Sequence, residues 1–597
     1  MTQKPSSLTP MVRQISFPVP STQYPVPSTR YPVPTFAYYV SPMPILSVEN
    51  LSLAISDESG VIRPVSGVTF SVDAGEVVAL VGESGSGKSL TATAVLGLLP
   101  KKISVADGGI RFKDADITRL ADDARRALRG RGMAMVFQDP MQYLNPVMTC
   151  GDQVTEALRV LEGRSAAEAN ARAVELFREV GLPDPESQLV RFPHELSGGM
   201  RQRVLIAMML ALQPALLIAD EPTTALDATV QAQILSLLRS LAQKRGMALL
   251  LITHDLNAVA RTADRACVMQ AGRIVESLPV ADLFTAARNP YTQSLVAAMP
   301  RRDGGETIVD AGANNHFPLR DRPVSSSTPL LTARDIVIAY PAPGGLFGSS
   351  RLAPPVVKGI SLDVRAGETL AIVGESGSGK STLGRALIRL GPVTSGSLVW
   401  SGDAGSVDLL SLEGDALRAF RRQAQMVFQD PFASLNPRLA AGYQIAEPLR
   451  IHGMVTAGGK GGLEARVTDL LESVGLRADD ARKYPHQFSG GQRQRLAIAR
   501  ALAVSPRLII ADEPVASLDM AVQGQVLDLM EELRARLGLT YVFISHDLSV
   551  VERIADRVLV MHKGAVVEEG ETSALFGAPR EEYTRALLDA SFSSARF

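Results

Sequence analysis

Short apolar runs punctuate this chain at intervals that a single strand or helix cannot explain. Val77–Val81 is continuously apolar and runs into a glycine-rich turn, after which the segment from Lys88 has helical character; residues 216–219 and 249–252 form similar runs. Continuous apolar strands that alternate with helices predict a parallel sheet covered on both faces. The segments around 150–195 and 442–485 lack such runs. There the apolar residues are spaced as in Val174, Phe177 and Val180, which predicts helices. The longest apolar stretch, 204–219, is broken by Gln213 and Pro214. It reads as a helix end followed by a buried strand, since a membrane-spanning helix needs about 20 largely apolar residues. Residues 1–43 have a different pattern. An aromatic-Pro-Val-Pro unit starts at Phe17, Tyr24 and Tyr31, and prolines at alternate positions predict polyproline II or an unstructured tail.

From Met43 onward the sequence repeats itself. Gly-Glu-Ser-Gly-Ser-Gly-Lys-Ser occupies 82–89 and 374–381, Phe-Gln-Asp-Pro 137–140 and 428–431, and Ser-Gly-Gly 197–199 and 489–491. Asp-Glu-Pro occupies 220–222 and 512–514, and a hydroxyl residue before His-Asp-Leu 253–256 and 545–548. Five motifs in one register define a tandem duplication. The domain expectation is a proline-rich tail over 1–43, one α/β domain over 44–300, a Gly/Pro/Ser-rich linker over 301–330, and a second α/β domain over 331–597.

Composition narrows the function. The 597 residues carry 61 Lys plus Arg against 62 Asp plus Glu, a net charge of −1. That is no footprint for a dedicated nucleic-acid binder. Two cysteines, Cys150 and Cys267, cannot build a disulfide framework or a four-cysteine metal site. A reducing compartment is the natural setting.

The repeated motifs carry phosphate chemistry. Gly82, Glu83, Ser84, Gly85, Ser86, Gly87, Lys88 and Ser89 fit a P-loop, as do Gly374, Glu375, Ser376, Gly377, Ser378, Gly379, Lys380 and Ser381. The glycines let backbone N–H groups wrap phosphates at a helix start, Lys88 and Lys380 reach the β- and γ-phosphates, and Ser89 and Ser381 ligate Mg²⁺. Asp220 and Asp512 end apolar strands, where a carboxylate can hold Mg²⁺ through water. Glu221 and Glu513 follow, placed to activate a water. Gln138 and Gln429 can ligate Mg²⁺ and orient that water. A lone histidine is more often a satisfied core residue, but His254 and His546, duplicated in register, favour a γ-phosphate contact. Ser197, Gly198 and Gly199, like Ser489, Gly490 and Gly491, open a helix and offer a second anion site in each half. The economical arrangement clamps each nucleotide between the P-loop of one half and the Ser-Gly-Gly of the other.

These motifs, in this order, resemble two fused nucleotide-binding domains of ATP-binding cassette (ABC) transporters over residues 45–597. The resemblance adds the aspartates of the following loop, Asp227 and Asp519. More narrowly, LSGGMRQR with DEPTTALD, and FSGGQRQR, are similar to the ATPases of dipeptide, oligopeptide, nickel and glutathione importers. Residues 289–295 and 582–587 resemble that group's C-terminal extension. The resemblance implies ATP and Mg²⁺ as cofactors, two membrane permease subunits and an extracytoplasmic solute-binding protein as partners, and a place on the cytoplasmic face of the inner membrane. It also implies that one fused chain serves each transporter, with no nucleic acid bound. The alternative is a soluble ABC ATPase acting on ribosomes or DNA, but the short Gly/Pro/Ser-rich linker and the two cysteines lack the charged helical linker and zinc modules of such proteins. Two departures stand out. Residues 301–330 contain no cysteine, so no iron–sulfur cluster carries over. The family's adenine-stacking aromatic corresponds to Tyr340 in the second half and to Ile55 in the first.

Overall fold

The computed structural model describes residues 43–597 apart from 58–59, 84, 139, 224–225, 298–328, 342–352, 403–404, 455–459, 517, 519 and 593–597. The proline-rich segment, most of the linker, Ser84 and Asp519 therefore lie outside the described residues. Residues 43–597 form one compact unit built from two equivalent halves.

Each half contains a six-stranded sheet whose inner strands are the apolar runs of the sequence. In the first half the order is Arg273–Pro279, Arg265–Gln270, Val77–Val81, Ala248–Thr253, Leu216–Asp220, Met133–Val136. All neighbours are parallel except Arg273–Pro279, an antiparallel edge strand. In the second half Lys380 follows the equivalent central strand, Thr369–Val373, paired in parallel with Thr540–Ser545 and Arg557–His562.

Side-chain alternation explains why these runs are apolar throughout. Val77, Ala79 and Val81 enter one core cluster while Val78 and Leu80 enter another on the opposite face. Ala371 and Val373 separate from Leu370 and Ile372 in the same way. With a period of two and helices or strands on both sides, the interior positions of these strands are apolar, and polar residues such as Asp220 and Thr369 stand at their ends.

A four-stranded antiparallel sheet accompanies each half: Gly60–Val72, Leu46–Asp57, Ile103–Phe112 and Ala115–Asp116 in the first. It was not legible from the periodicity, because its alternating strands are interrupted by bulges between Val48 and Ile55. The helical segment behaves as the sequence indicates. Helix Cys150–Glu162 starts at Thr149, whose side chain accepts from Asp152 N, and stops at Gly163 in the left-handed region. Helix Ala166–Glu179 starts with a Ser165/Glu168 capping box. Val154, Leu158, Leu176 and Phe177 bury their faces against helix Gly198–Leu210 through Val204 and Leu205. This packing fixes the Ser-Gly-Gly helix start. The stretch 204–219 is a helix end and a buried strand, Leu216–Asp220.

Candidate nucleotide site

The P-loop follows the C-terminal end of a central parallel strand, the edge where open α/β sheets bind ligands. A Cβ at Gly82 or Gly374 would collide with a backbone carbonyl, of Met269 or Met561, so only glycine leaves the strand in this direction. Gly87 and Gly379 adopt left-handed φ values of 100° and 98° and open helices Lys88–Val95 and Lys380–Leu387 with no side-chain cap. The first N–H groups of those helices are thereby left for an anion. Lys88 Nζ donates to the carbonyls of Gly82 and Glu83, both at 2.7 Å; Lys380 Nζ donates to those of Gly374 and Glu375 at 2.7 and 2.8 Å. The ammonium is folded into its own loop, and burial pulls the Lys380 pKa down.

Around each P-loop the predicted residues meet. Ser89 Oγ donates to Asp220 at 3.0 Å and Ser381 Oγ to Asp512 at 2.7 Å. Gln138 Nε2 donates to Glu221 at 2.8 Å and Gln429 Nε2 to Glu513 at 2.7 Å. His254 Nδ1 lies 3.2 Å from Glu221, and His546 Nδ1 lies 3.0 Å from Glu513. Five side-chain types from four separate motifs thus meet in one cluster, and the second half reproduces it. The two glutamates carry φ values of 45° and 46°, a region that non-glycine residues rarely occupy and that is typical of functional strain.

Electrostatics follow from burial. Burial pushes the Asp220 carboxyl up to about 6, against the Ser89 hydrogen bond; burial raises Asp512 too. His254 is raised, first by its hydrogen bond with Glu221. For His546 burial acts downward, but the Glu513 hydrogen bond and charge outweigh it and the pKa rises. Burial would raise Glu513, yet its hydrogen bond and charge interaction with His546 hold it below the usual carboxylate range. The His546–Glu513 pair therefore favours its charged form, and Glu221 draws His254 toward imidazolium.

The halves touch at the second P-loop. Asp227 caps helix Ala228–Arg245, accepting from Val230 N at 2.9 Å with one oxygen, and accepts from Ser376 N at 3.3 Å with the other. That helix start packs on the first Ser-Gly-Gly: side-chain growth at Gly198 would press on Leu226, and at Gly199 on Val230. Ser197, Gly198 and Gly199 are thus connected through Asp227 to the P-loop of Lys380. The reciprocal partners, Asp519 and Ser84, lie outside the described residues. Ser489, Gly490 and Gly491 repeat the helix start, with the Ser489 side chain accepting from Gln492 N.

Tyr340 lies just past strand Pro329–Ile338 and is exposed. Two contacts escaped sequence reasoning. Glu83 N donates to the Tyr291 hydroxyl at 3.2 Å and Glu375 N to the Tyr583 hydroxyl at 3.1 Å. The available signal was register, since these tyrosines are separated by the same interval as the P-loop lysines. Arg385 Nη2 approaches Asp512 at 3.9 Å, while Thr93 stands at the matching position of the first half.

The sequence matches the family model "ABC transporter" over residues 65–224 and again over 357–516. It also matches "Oligopeptide/dipeptide transporter, C-terminal region" over 275–321 and 567–595. The glutathione import ATP-binding protein GsiA of Salmonella paratyphi A (strain ATCC 9150 / SARB42) is 46% identical over 563 residues, 92% of this chain and 89% of that protein. The protein of the same name from Escherichia coli O157:H7 is 44% identical over 562 residues, again 92% and 89%. The repeated phosphate cluster and these matches agree: this chain belongs to the ABC transporter family, as an ATP-binding, ATP-hydrolysing member that carries the cassette twice.

Proposed function

We propose that this chain energises the import of glutathione or short peptides from the cytoplasmic face of the inner membrane. The observation that carries the reading is the 46% identity to a glutathione import ATP-binding protein across 92% of the chain, joined by the oligopeptide/dipeptide C-terminal region in both halves. Residues 44–300 and 331–597 act as the two ATPase domains, joined by 301–330 and preceded by a tail over 1–43. Two permease subunits carry the membrane path, a solute-binding protein delivers cargo to them, and one fused chain serves each transporter.

Each ATP lies between halves. Lys380 shares its nucleotide with Ser197 and Gly199, which the Asp227–Ser376 contact supports; Lys88 shares with Ser489 and Gly491. Tyr340 stacks on adenine at the Lys380 site. Mg²⁺ fits the donor set, because hydroxyl, carboxylate and amide oxygens are the hard ligands it takes. Asp512 Oδ2 is moreover buried without a hydrogen-bond partner. Ser89, Gln138 and Asp220 would hold the ion in one site and Ser381, Gln429 and Asp512 in the other, where it would supply positive charge against the phosphates. Glu221 and Glu513 take the proton of the attacking water at a carboxylate oxygen, Gln138 and Gln429 orient that carboxylate, and His254 and His546 face the γ-phosphate.

Uptake of labelled glutathione, dipeptides and oligopeptides in a strain lacking this chain tests the reading. Loss of uptake for one of these, restored by the wild-type chain, is expected. Unchanged uptake of all three, with the chain co-sedimenting on ribosomes, would refute it.

A further inference from the structure

The C-terminal extension of each half is pinned beside its P-loop. In the second half the Glu568 carboxylate accepts from Arg580 N at 2.9 Å and Glu581 N at 3.2 Å, just before helix Glu582–Ser591. Leu587, Leu588 and Phe592 bury that helix. In the first half Glu276 accepts from Arg288 N and Asn289 N at 2.8 and 3.2 Å, before helix Pro290–Ala297. Each helix so fixed presents, from its first turn, a tyrosine hydroxyl to the amide of the second P-loop residue. Tyr583 is held further by the His562 ring, 4.1 Å away between centroids. Burial pushes its hydroxyl up to about 12, so it stays protonated and neutral around pH 7.

On the second P-loop two consecutive amides are thus held from outside. Glu375 N–H is taken by Tyr583 of the same half, and Ser376 N–H by Asp227 of the other. The tyrosine's helix is itself gripped by the other half. Arg261 Nη2 donates to carbonyls of its last turn, Ala590 at 2.7 Å and Asp589 at 3.2 Å, where a cation complements the negative end of the helix.

We infer that Tyr291 and Tyr583 are positioning residues for ATP: each hydroxyl holds the amide of the second residue of its P-loop, Glu83 or Glu375, so that the C-terminal extension sets the phosphate cradle before nucleotide arrives. The inference rests on ATP binding at Lys88 and Lys380. The hydroxyl touches the loop and not the reacting atoms, so its loss raises the ordering cost of binding while the hydrolytic cluster is unchanged. Removing one hydrogen-bond partner of this kind corresponds to roughly a fivefold loss of affinity.

The test uses the full chain and a fluorescent ATP analogue. Tyr583→Phe in a Lys88→Ala background reads the Lys380 site; Tyr291→Phe in a Lys380→Ala background reads the other. Phenylalanine keeps the ring and its packing. The expected result is about a fivefold weaker Kd at the site served by the altered tyrosine, a matching rise in KM for ATP in the single variants, and kcat within twofold. A fall in kcat or Tm with unchanged Kd and KM would mean that the tyrosines only pack the extension, and would overturn the inference. If the Lys88→Ala/Lys380→Ala double variant still binds the analogue normally, the ATP-site reading itself fails; if only the tyrosine variants are silent, this inference alone fails.

Discussion

The Gln138 side-chain amide donates to the Glu221 carboxylate at 2.8 Å, and the His254 ring meets the same carboxylate at 3.2 Å from the other side. The glutamate is therefore oriented by two groups from two different loops, with its backbone in a left-handed conformation. Such an arrangement suits a group that must present one oxygen to a water in a fixed direction.

General bases typically contribute about 10²–10⁴-fold. Changing Glu221 and Glu513 together to Gln should slow ATP hydrolysis by that order. ATP binding should persist, because the P-loop lysines and amides are untouched. Phosphate release by the double variant at near wild-type rate would remove both glutamates from this role.

The Asp227–Ser376 contact predicts where the halves can be joined. Ser197 and Ser376 are both exposed and belong to opposite sides of the Lys380 site. Cysteines at these two positions should form an intrachain disulfide under mild oxidation with ATP present. Cross-linking of Ser197→Cys to Ser86→Cys, within one half, would rule out the head-to-tail arrangement.

The native thiols should not interfere. Cys150 is buried, and burial, with the nearby Glu195 charge, pushes its pKa from 9.0 to about 11. Burial raises Cys267 as well. The thiolate is the nucleophile, so at pH 8 neither should react quickly with a disulfide reagent until the chain unfolds. The folded state favours the protonated thiol. Its contribution to stability is full below the unfolded value of 9.0 and is lost as pH climbs toward 11. A native thiol that reacts at pH 8 as fast as a free one would contradict this.

Much of the site was legible because its residues end apolar strands. Asp220 and Asp512 stand at positions where the strand's last residue emerges from between two covered faces, and glycines mark the loops that must approach phosphate. The duplication converted ambiguous residues, such as the two histidines, into paired ones. The antiparallel sheet was hidden because bulges at Asn50 and Asp335, both at left-handed φ, break its alternation. Tyr291 and Tyr583 were visible as parts of the extension, but no spacing rule links a tyrosine to an amide 208 residues away.

The same bulges sharpen the last prediction, a difference between the two ATP sites. Leu53 pairs with Val65 in the first half and Ile338 with Val357 in the second. Val65 and Val357 each lie against the last glycine of their P-loop, Gly87 and Gly379. Leu53 and Ile338 are therefore equivalent, and two residues further on stand Ile55 and Tyr340. Tyr340 is 41% exposed, so a face of its ring is open to a base. Base–aromatic stacking is worth roughly 1–3 kcal/mol, and an aliphatic side chain recovers only part of that. Phosphate contacts are common to both sites, so the Lys88 site should bind ATP about tenfold more weakly than the Lys380 site, near 1.4 kcal/mol. Affinities measured in Lys380→Ala and Lys88→Ala, each leaving one site, read this difference directly. Ile55→Tyr should narrow it and Tyr340→Ile should abolish it. Equal affinities in the two lysine variants, with no gain from Ile55→Tyr, would show that the adenine ring rests elsewhere.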